Sequence, residues 1–257
     1  MTPHHRDLVL DVQGLGKTFH TRTDGAREVL RDVSFSIDRG ACLAVVGESG
    51  SGKTTAARIV AGLETASAGT VTLDGGRAHG VQMVFQDPYG SLDPRQAIGS
   101  GLHELLKLHG VRRGADRRSR TTELLESVGL DERHAGQYPA SLSGGQRQRV
   151  AIARALALDP ALLILDEAVS ALDVSVQAQV LNLLADIRTR TGISYLFVSH
   201  DLGVVRQVSD TCVVLHDGRV VESGPTARIL DFPKEVYTRA LVDAVPRPGW
   251  RPRRRTA

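Results

Sequence analysis

The sequence predicts an α/β fold, in which a mostly parallel β-sheet with crossover helices carries an antiparallel β flank and an inserted α-helical subdomain. The continuous apolar run at Cys42–Val46 is typical of a strand covered on both faces. Segments 162–165 and 194–198 also predict strands. Between residues 88 and 160 apolar residues instead recur three and four positions apart, which indicates helices. Strands that alternate with helices in this way favour parallel pairing.

The remaining elements follow in chain order. Apolar residues in segments 8–12 and 29–37 predict two strands of the flank, and the polar stretch between them contains the turn signal Asp24-Gly25. A helix is expected to end near Ala61, before Gly62. Short strands are predicted at 71–73, 81–85 and 212–215. Asp217-Gly218 indicates a hairpin into a last strand at 219–222.

The composition is that of an ordinary globular protein. The 257 residues suffice for one large domain with a small insertion, and 41% are hydrophobic and 24% charged. No apolar run reaches the ~18 residues that a membrane span needs. The first residues lack the apolar stretch of a signal peptide, so we expect a cytosolic protein that meets a membrane only through a partner.

The distribution of charge limits the possible partners, and the cysteines indicate the redox compartment. Five arginines lie in residues 247–257, and without them the formal net charge changes from +3 to −2. The body therefore has no nucleic-acid footprint, and no nucleic-acid partner is expected. The basic tail is expected to be disordered, with binding to anionic lipid or RNA as the alternative. Cys42 and Cys212 lie in apolar runs and fit buried thiols in a reducing compartment.

A phosphate-binding loop follows the apolar run that ends at Val46. It matches G-x-x-x-x-G-K-[ST] and consists of Gly47, Glu48, Ser49, Gly50, Ser51, Gly52, Lys53 and Thr54, with Thr55 next on the helix. Glycines let backbone N–H groups surround phosphate oxygens, and the helix N-terminus adds partial positive charge. Lys53 is expected to contact the β- and γ-phosphates, and the Thr54 hydroxyl to coordinate Mg²⁺. The alternative is a glycine-rich turn with an incidental lysine.

Polar residues at three strand ends indicate hydrolysis. Asp166 and Glu167 end the run at 162–165, where Asp166 is expected to bind Mg²⁺ through water and Glu167 to take a proton from the attacking water. His200 follows the next strand and is expected to hold the water and Glu167 in line. Gln86, after the strand at 81–85, is expected to reach Mg²⁺ and the water.

A second glycine-rich helix start distinguishes among the many classes of nucleotide-binding protein. Leu142 is followed by Ser143, Gly144, Gly145 and Gln146. Ser143 and Gln146 fit a capping box, but two glycines in a first turn cost ~1 kcal/mol each relative to alanine. That cost makes sense if a phosphate approaches this backbone. A second anion-binding helix end suggests ATP held between two subunits.

The order of these motifs resembles that of the ATPases of ABC transporters: a Walker A loop, Gln86, LSGGQ, a Walker B strand with Glu167, and His200. The resemblance covers nearly the whole chain. It implies a RecA-like P-loop NTPase domain over residues 7–246, with the helical subdomain inserted at about 88–160. It also implies that Ser143 and Gly145 contact the γ-phosphate bound by the opposite subunit and that Asp173 lies across that interface. Phe19 falls where the family places an adenine-stacking aromatic, with a core phenylalanine as the alternative.

Three segments resemble the importer ATPases for dipeptides, oligopeptides and nickel: residues 84–95, 170–179 and 237–241. This implies ATP and Mg²⁺ as ligands, permease subunits and a second ATP-binding subunit as partners, and an extracellular binding protein that acts indirectly. The expected location is the cytoplasmic face of the cell membrane. Ala168 departs from the family by replacing a proline, and segment 234–236 lacks the usual His-Pro. The alternatives are a non-transport ATPase in a soluble complex, of the carbon–phosphorus lyase accessory type, and a regulatory module without turnover.

Overall fold

The computed structural model describes residues 7–21, 25–74, 80–87, 90–111 and 113–245. The strands of this part are β1 Leu8–Thr21, β2 Gly25–Asp38, β3 Cys42–Val46, β4 Ala68–Leu73, β5 Val81–Val84, β6 Leu162–Asp166, β7 Ser194–Val198, β8 Thr211–His216 and β9 Arg219–Pro225. Its α-helices are α1 Lys53–Val60, α2 Ile98–Leu108, α3 Gly114–Ser127, α4 Gly144–Leu156, α5 Val174–Thr191, α6 Leu202–Val208, α7 Thr226–Asp231 and α8 Val236–Asp243. The arginine-rich tail, Asp24, Pro88 and Tyr89 lie outside the described residues.

The larger sheet has six strands in the order β5-β6-β7-β3-β8-β9. All neighbours pair in parallel except β8 and β9, which are antiparallel. Every residue of β3 is buried, as its continuous apolar run predicts, and every residue of β6 and β7 is buried as well. The predicted mostly parallel sheet is therefore confirmed, and the carboxyl ends of β3, β6 and β7 meet at one edge.

The antiparallel flank is a three-stranded sheet in the order β2-β1-β4. Its first strand was predicted to end at residue 12 but runs to Thr21. The register shifts repeatedly beyond Val12, and Gly14 adopts a φ of 60°. Bulges of this kind break the alternation of apolar and polar residues, and a bulged strand therefore reads as a loop in the sequence. The extension brings Phe19 to the phosphate loop.

The turn between β8 and β9 has the predicted hairpin chemistry. Asp217 and Gly218 both have positive φ, 45° and 74°, as a type I′ turn requires. The Gly218 N–H donates to the Ser51 carbonyl at 3.2 Å, and a Cβ at Gly218 would lie 2.3 Å from the Val29 carbonyl oxygen. This hairpin consequently packs against both the phosphate loop and the flank.

Helices occupy the chain between β5 and β6, as the sequence predicts. Two short 3₁₀ segments connect α3 to α4. The buried residues of α2, α3 and α4, including Leu102, Leu125 and Ile152, form one hydrophobic core with β6 and β7. Gly99 lets α2 approach the segment at Ala135, where a Cβ would lie 2.9 Å from the Ala135 carbonyl oxygen. Within the described residues, no helix has the length and apolarity to cross a membrane.

Candidate active site

The phosphate loop connects β3 to α1 by a path that only glycine can follow at two points. A Cβ at Gly47 would lie 2.1 Å from the Leu215 carbonyl oxygen. Gly52 has a φ of 105°, and a Cβ there would lie 2.6 Å from a Leu30 methyl carbon. Gly52 is also the N-cap of α1 and supplies no side-chain hydrogen bond. The positive end of α1 is therefore left available to an anion.

Lys53 is buried at the start of α1, and its ammonium group points back into the loop. Its Nζ donates to the carbonyl oxygens of Gly47 at 2.8 Å and Glu48 at 2.9 Å. Burial lowers the pKa of Lys53, while the nearby carboxylates of Glu167 and Asp166 act to raise it. The lysine is thus a partly desolvated cation, which strengthens its attraction for phosphate.

Asp166 lies at the carboxyl end of β6, facing α1. The Thr54 hydroxyl donates to its Oδ1 at 3.1 Å, so the two oxygens expected to serve Mg²⁺ are neighbours. Burial raises the pKa of Asp166, and the Thr54 hydrogen bond acts in the opposite direction. A buried carboxylate beside a hydroxyl is a suitable donor set for a hard cation that keeps most of its ligands as phosphate and water.

Glu167 and His200 meet at the ends of β6 and β7. His200 Nδ1 lies 3.2 Å from Glu167 Oε1. Glu167 has a φ of 49°, which is unusual for a residue with a side chain, and its N–H donates to the Val198 carbonyl at 3.0 Å. Ala168, which follows, is buried at 3% exposure and leaves the turn intact without a proline.

A cavity of about 460 Å³ lies over the phosphate loop and reaches the flank. Its lining residues are Phe19, Arg27, Val29, Ser49, Gly50, Gly52, Lys53, Thr54, Thr55 and Glu167. Lys17 Nζ lies 4.6 Å from the centre of the Phe19 ring and also pairs with Glu64 at 2.7 Å. Phe19 therefore lines this cavity and is only partly buried, rather than being a core residue.

The LSGGQ segment starts α4 with the predicted capping box. The Ser143 hydroxyl accepts from the Gln146 N–H at 3.2 Å, and Gln146 Oε1 accepts from the Ser143 N–H at 2.9 Å. Gly145 is buried, and a Cβ there would lie 2.3 Å from a Val176 methyl carbon. Packing against α5 is therefore one reason for this glycine, besides the phosphate approach inferred from sequence. Gly144 has no such crowding, since its nearest neighbour lies at 3.7 Å.

Asp173 caps the N-terminus of α5. Its Oδ1 accepts from the Val176 N–H at 2.9 Å and from the Ser175 hydroxyl at 2.8 Å. The Val176 N–H, followed by the Ser175 hydroxyl, lowers the pKa of this exposed carboxyl. Asp173 therefore has a structural role as a helix cap, and its role at a subunit interface stays a prediction.

The predicted site residues do not all converge within one chain. The phosphate loop, Asp166, Glu167 and His200 come together at one sheet edge. Gln86 is exposed after β5, and neither it nor the LSGGQ residues line the cavity. The Gln146 side chain instead contacts His134, with 3.3 Å between Nε2 atoms.

Two contacts of the site were not predicted from the sequence. Lys17 supports Phe19 from within β1, which had been predicted to end earlier. Tyr237 accepts a hydrogen bond from the backbone N–H of Glu48 at 3.0 Å. The resemblance to the importer ATPases includes segment 237–241, but it gives Tyr237 no role.

The groups around the phosphate loop fit the expected ligands. An uncapped helix N-terminus, a buried lysine and paired Thr54 and Asp166 oxygens fit a nucleoside triphosphate with Mg²⁺. The described residues hold no group of three or more His, Cys, Asp or Glu side chains that could bind a metal alone. Cys42 and Cys212 are buried, and burial raises the pKa of each thiol to about 12. These thiols are unreactive core residues.

A family model described as "ABC transporter" matches residues 30–170. The glutathione import ATP-binding protein GsiA of Pectobacterium atrosepticum is 43% identical over 262 residues, which cover 95% of this chain and 42% of the relative. The protein of the same name from Escherichia coli K12 is 44% identical over 256 residues, with coverage of 93% and 41%. The chain thus spans about two fifths of the length of these curated relatives.

Solved structures give the same result. The chain superimposes on CbiO1 of Clostridium perfringens, part of the CbiONQ transporter complex, with a TM-score of 0.76 and 26% identity, covering 88% of this chain and 92% of that one. It also matches the ATP-binding cassette MJ0796, whose structure is a dimeric post-hydrolysis state bound to ADP and Pi, with a TM-score of 0.73 and 29% identity. Coverage there is 84% of this chain and 98% of MJ0796. Together with the phosphate loop and the Glu167–His200 pair, these matches show that the chain belongs to the ABC transporter family.

Proposed function

We propose that this cassette binds and hydrolyses Mg²⁺-ATP to power import through partner permease subunits, with a peptide-like cargo or nickel. The observation that supports hydrolysis most directly is the pairing of Glu167 with His200 beside the phosphate-loop cavity. Import is supported by the name of the relatives, which are glutathione import ATP-binding proteins. Glutathione is a small peptide, so the proposed cargo class agrees with theirs.

The phosphate loop and Lys53 would hold the triphosphate. Backbone N–H groups at the start of α1 would contact its oxygens, and the Lys53 cation would neutralise the β- and γ-phosphates. Phe19 would stack on the adenine, since it lines the same cavity as Lys53 and Thr54. Thr54, Asp166 and Gln86 would hold Mg²⁺, Asp166 through water. When bound, Mg²⁺ would neutralise the negative charge that develops on the phosphates.

Glu167 would act as the general base. Its carboxylate lines the cavity and lies one residue beyond Asp166, so it can accept a proton from a water at the γ-phosphate. His200, 3.2 Å from that carboxylate, would orient it and the water together.

A second subunit would complete each site. Ser143, Gly144, Gly145 and Gln146 are the proposed contacts to ATP held by a partner, and Asp173 would lie across the same interface. The support is that these residues line no part of the cavity in one chain, while the matched MJ0796 cassette is a dimer. Whether the partner is identical or related, the chemistry is complete, because this chain supplies both halves of a site.

The remaining assignments concern organisation and location. We propose an ATP-binding domain over residues 7–246, with the helical subdomain at about 88–160 and a basic tail at 247–257. The helical subdomain would contact the permease, which would place the cassette at the cytoplasmic face of the cell membrane. An extracellular binding protein would act on the permease and contact this chain only indirectly.

Co-purification with permease subunits tests this function. The full chain should co-purify with a multi-span permease, and the complex in proteoliposomes, supplied with the extracellular binding protein, should take up a labelled small peptide or nickel in the presence of ATP. The matched control is the same complex with Glu167→Gln, which should assemble without uptake. Recovery of a soluble complex alone would instead support the carbon–phosphorus lyase accessory type. Assembly without any ATP hydrolysis would support a regulatory module.

A further inference from the structure

The phosphate loop is bonded to a distant part of the chain through Tyr237. This residue lies on α8, and its hydroxyl accepts from the Glu48 N–H at 3.0 Å across 189 residues of sequence. Tyr237 belongs to the 237–241 segment, which contains none of the residues proposed to bind or hydrolyse ATP. The contact therefore links the C-terminal helix to the loop expected to hold ATP.

Tyr237 is held firmly in position. Its ring stacks on His216, with 3.8 Å between ring centroids and an interplanar angle of 24°. The backbone just before α8 is fixed by Glu222, whose carboxylate accepts from the Lys234 N–H at 2.9 Å and the Glu235 N–H at 3.2 Å. Burial raises the pKa of Tyr237, so its hydroxyl stays neutral at physiological pH. The hydroxyl is thus a fixed, uncharged partner for the loop.

The contact controls the orientation of one peptide group. The Glu48 N–H and the Gly47 C=O belong to the same trans peptide and point in opposite directions. Tyr237 holds the N–H on one side, which aims the Gly47 carbonyl at Lys53 Nζ, 2.8 Å away on the other. We infer that Tyr237 is a positioning residue for nucleotide binding, which acts through the Gly47–Glu48 peptide on Lys53. The inference rests on the proposed function only in taking ATP as the ligand.

The test is Tyr237→Phe in the full chain, which keeps the ring on His216 and removes only the hydroxyl. We expect ATP and ADP to bind about threefold to tenfold more weakly in a fluorescent-nucleotide titration, the range that one net hydrogen bond supports. The control is Tyr195→Phe, since the buried Tyr195 hydroxyl donates to the Leu184 carbonyl at 2.9 Å, away from the loop. Tyr195→Phe should lower Tm and leave nucleotide affinity unchanged.

A double-mutant cycle with Lys53→Met separates positioning from a general structural effect. If Tyr237 acts through Lys53, the loss caused by Tyr237→Phe should largely disappear in the Lys53→Met background, measured with ADP at high protein concentration. Equal losses in both backgrounds would overturn the inference, as would wild-type affinity in Tyr237→Phe. These failures are distinct from failure of the proposed function, in which the wild-type chain itself would bind no nucleotide.

Discussion

His200 Nδ1 lies 3.2 Å from Glu167 Oε1, and the two residues are 33 positions apart in the chain. They meet because β6 and β7 are adjacent and parallel, with Asp166 in register with Val198. Equivalent ends of adjacent parallel strands lie at one sheet edge, so each strand delivers one polar residue to the same point.

Replacement of Glu167 by glutamine should abolish hydrolysis and leave ATP binding intact. The amide keeps the shape of the side chain but cannot accept a proton from water, and general-base catalysis contributes roughly 10²–10⁴-fold. We expect phosphate release to fall at least about 100-fold, while ATP affinity changes by less than about twofold. The control Glu132→Gln alters an exposed glutamate of the helical segment and should leave both phosphate release and ATP affinity unchanged. Wild-type turnover in Glu167→Gln would remove Glu167 as the base.

Replacement of His200 by alanine should reduce kcat about 10- to 100-fold, with a much smaller change in KM for ATP. The expected loss arises because Glu167 and the attacking water are no longer held in line. Steady-state phosphate release measures both parameters. If the two residues act as one unit, the double variant with Glu167→Gln should be no slower than Glu167→Gln alone. A further large loss in the double variant would show that His200 acts independently.

Replacement of Asp166 by asparagine should stabilise the Mg²⁺-free protein while it abolishes hydrolysis. Burial raises the pKa of Asp166, so the folded state binds this proton more tightly than the unfolded chain, and the charged form opposes folding. The stabilisation by asparagine should therefore be present at pH 7.5 and shrink as the pH falls through the folded-state pKa towards the unfolded value of about 4.

Thermal unfolding in EDTA at several pH values measures the effect of Asp166→Asn. A gain of about 1 kcal/mol would raise Tm by roughly 2–4 °C in a domain of this size. Asp38→Asn, at an exposed position, serves as the matched control and should not change Tm. A lower Tm for Asp166→Asn at pH 7.5 would contradict the proposed cost of the buried charge.

Replacement of Phe19 by alanine should weaken ATP binding without affecting binding of the phosphates alone. Stacking of a base on an aromatic side chain contributes about 1–3 kcal/mol, so ATP affinity should fall about 5-fold or more. Competition by inorganic tripolyphosphate, which has no base, should be unchanged. Phe232→Ala removes a ring that is 77% exposed and should leave both affinities as in the wild type. Equal losses for ATP and tripolyphosphate would instead indicate damage to the phosphate loop.

The sequence predicted those parts of the site that rest on local patterns. The apolar run at Cys42–Val46 and the glycine spacing after it led directly to β3, the loop and α1. The end of β1 was not predictable, because register shifts hide the strand from residue 13 onward. The left-handed conformation of Glu167 had no signal either, since it depends on the Val198 carbonyl in a neighbouring strand. The Tyr237 contact joins two segments that only the complete fold brings together.

The packing of Gly145 against Val176 has a consequence for sequence variation. A methyl group at position 145 would require the Val176 side chain to withdraw, because the two would be 2.3 Å apart. Alanine at 145 is therefore expected to be tolerated only together with a smaller residue at 176, so that the two positions should covary across related proteins. Val176 also follows Asp173 at the start of α5 and donates its N–H to that carboxylate. A substitution at 176 that makes room for a side chain at 145 would therefore also affect the N-terminal cap of α5. Positions 145, 173 and 176 are expected to vary together.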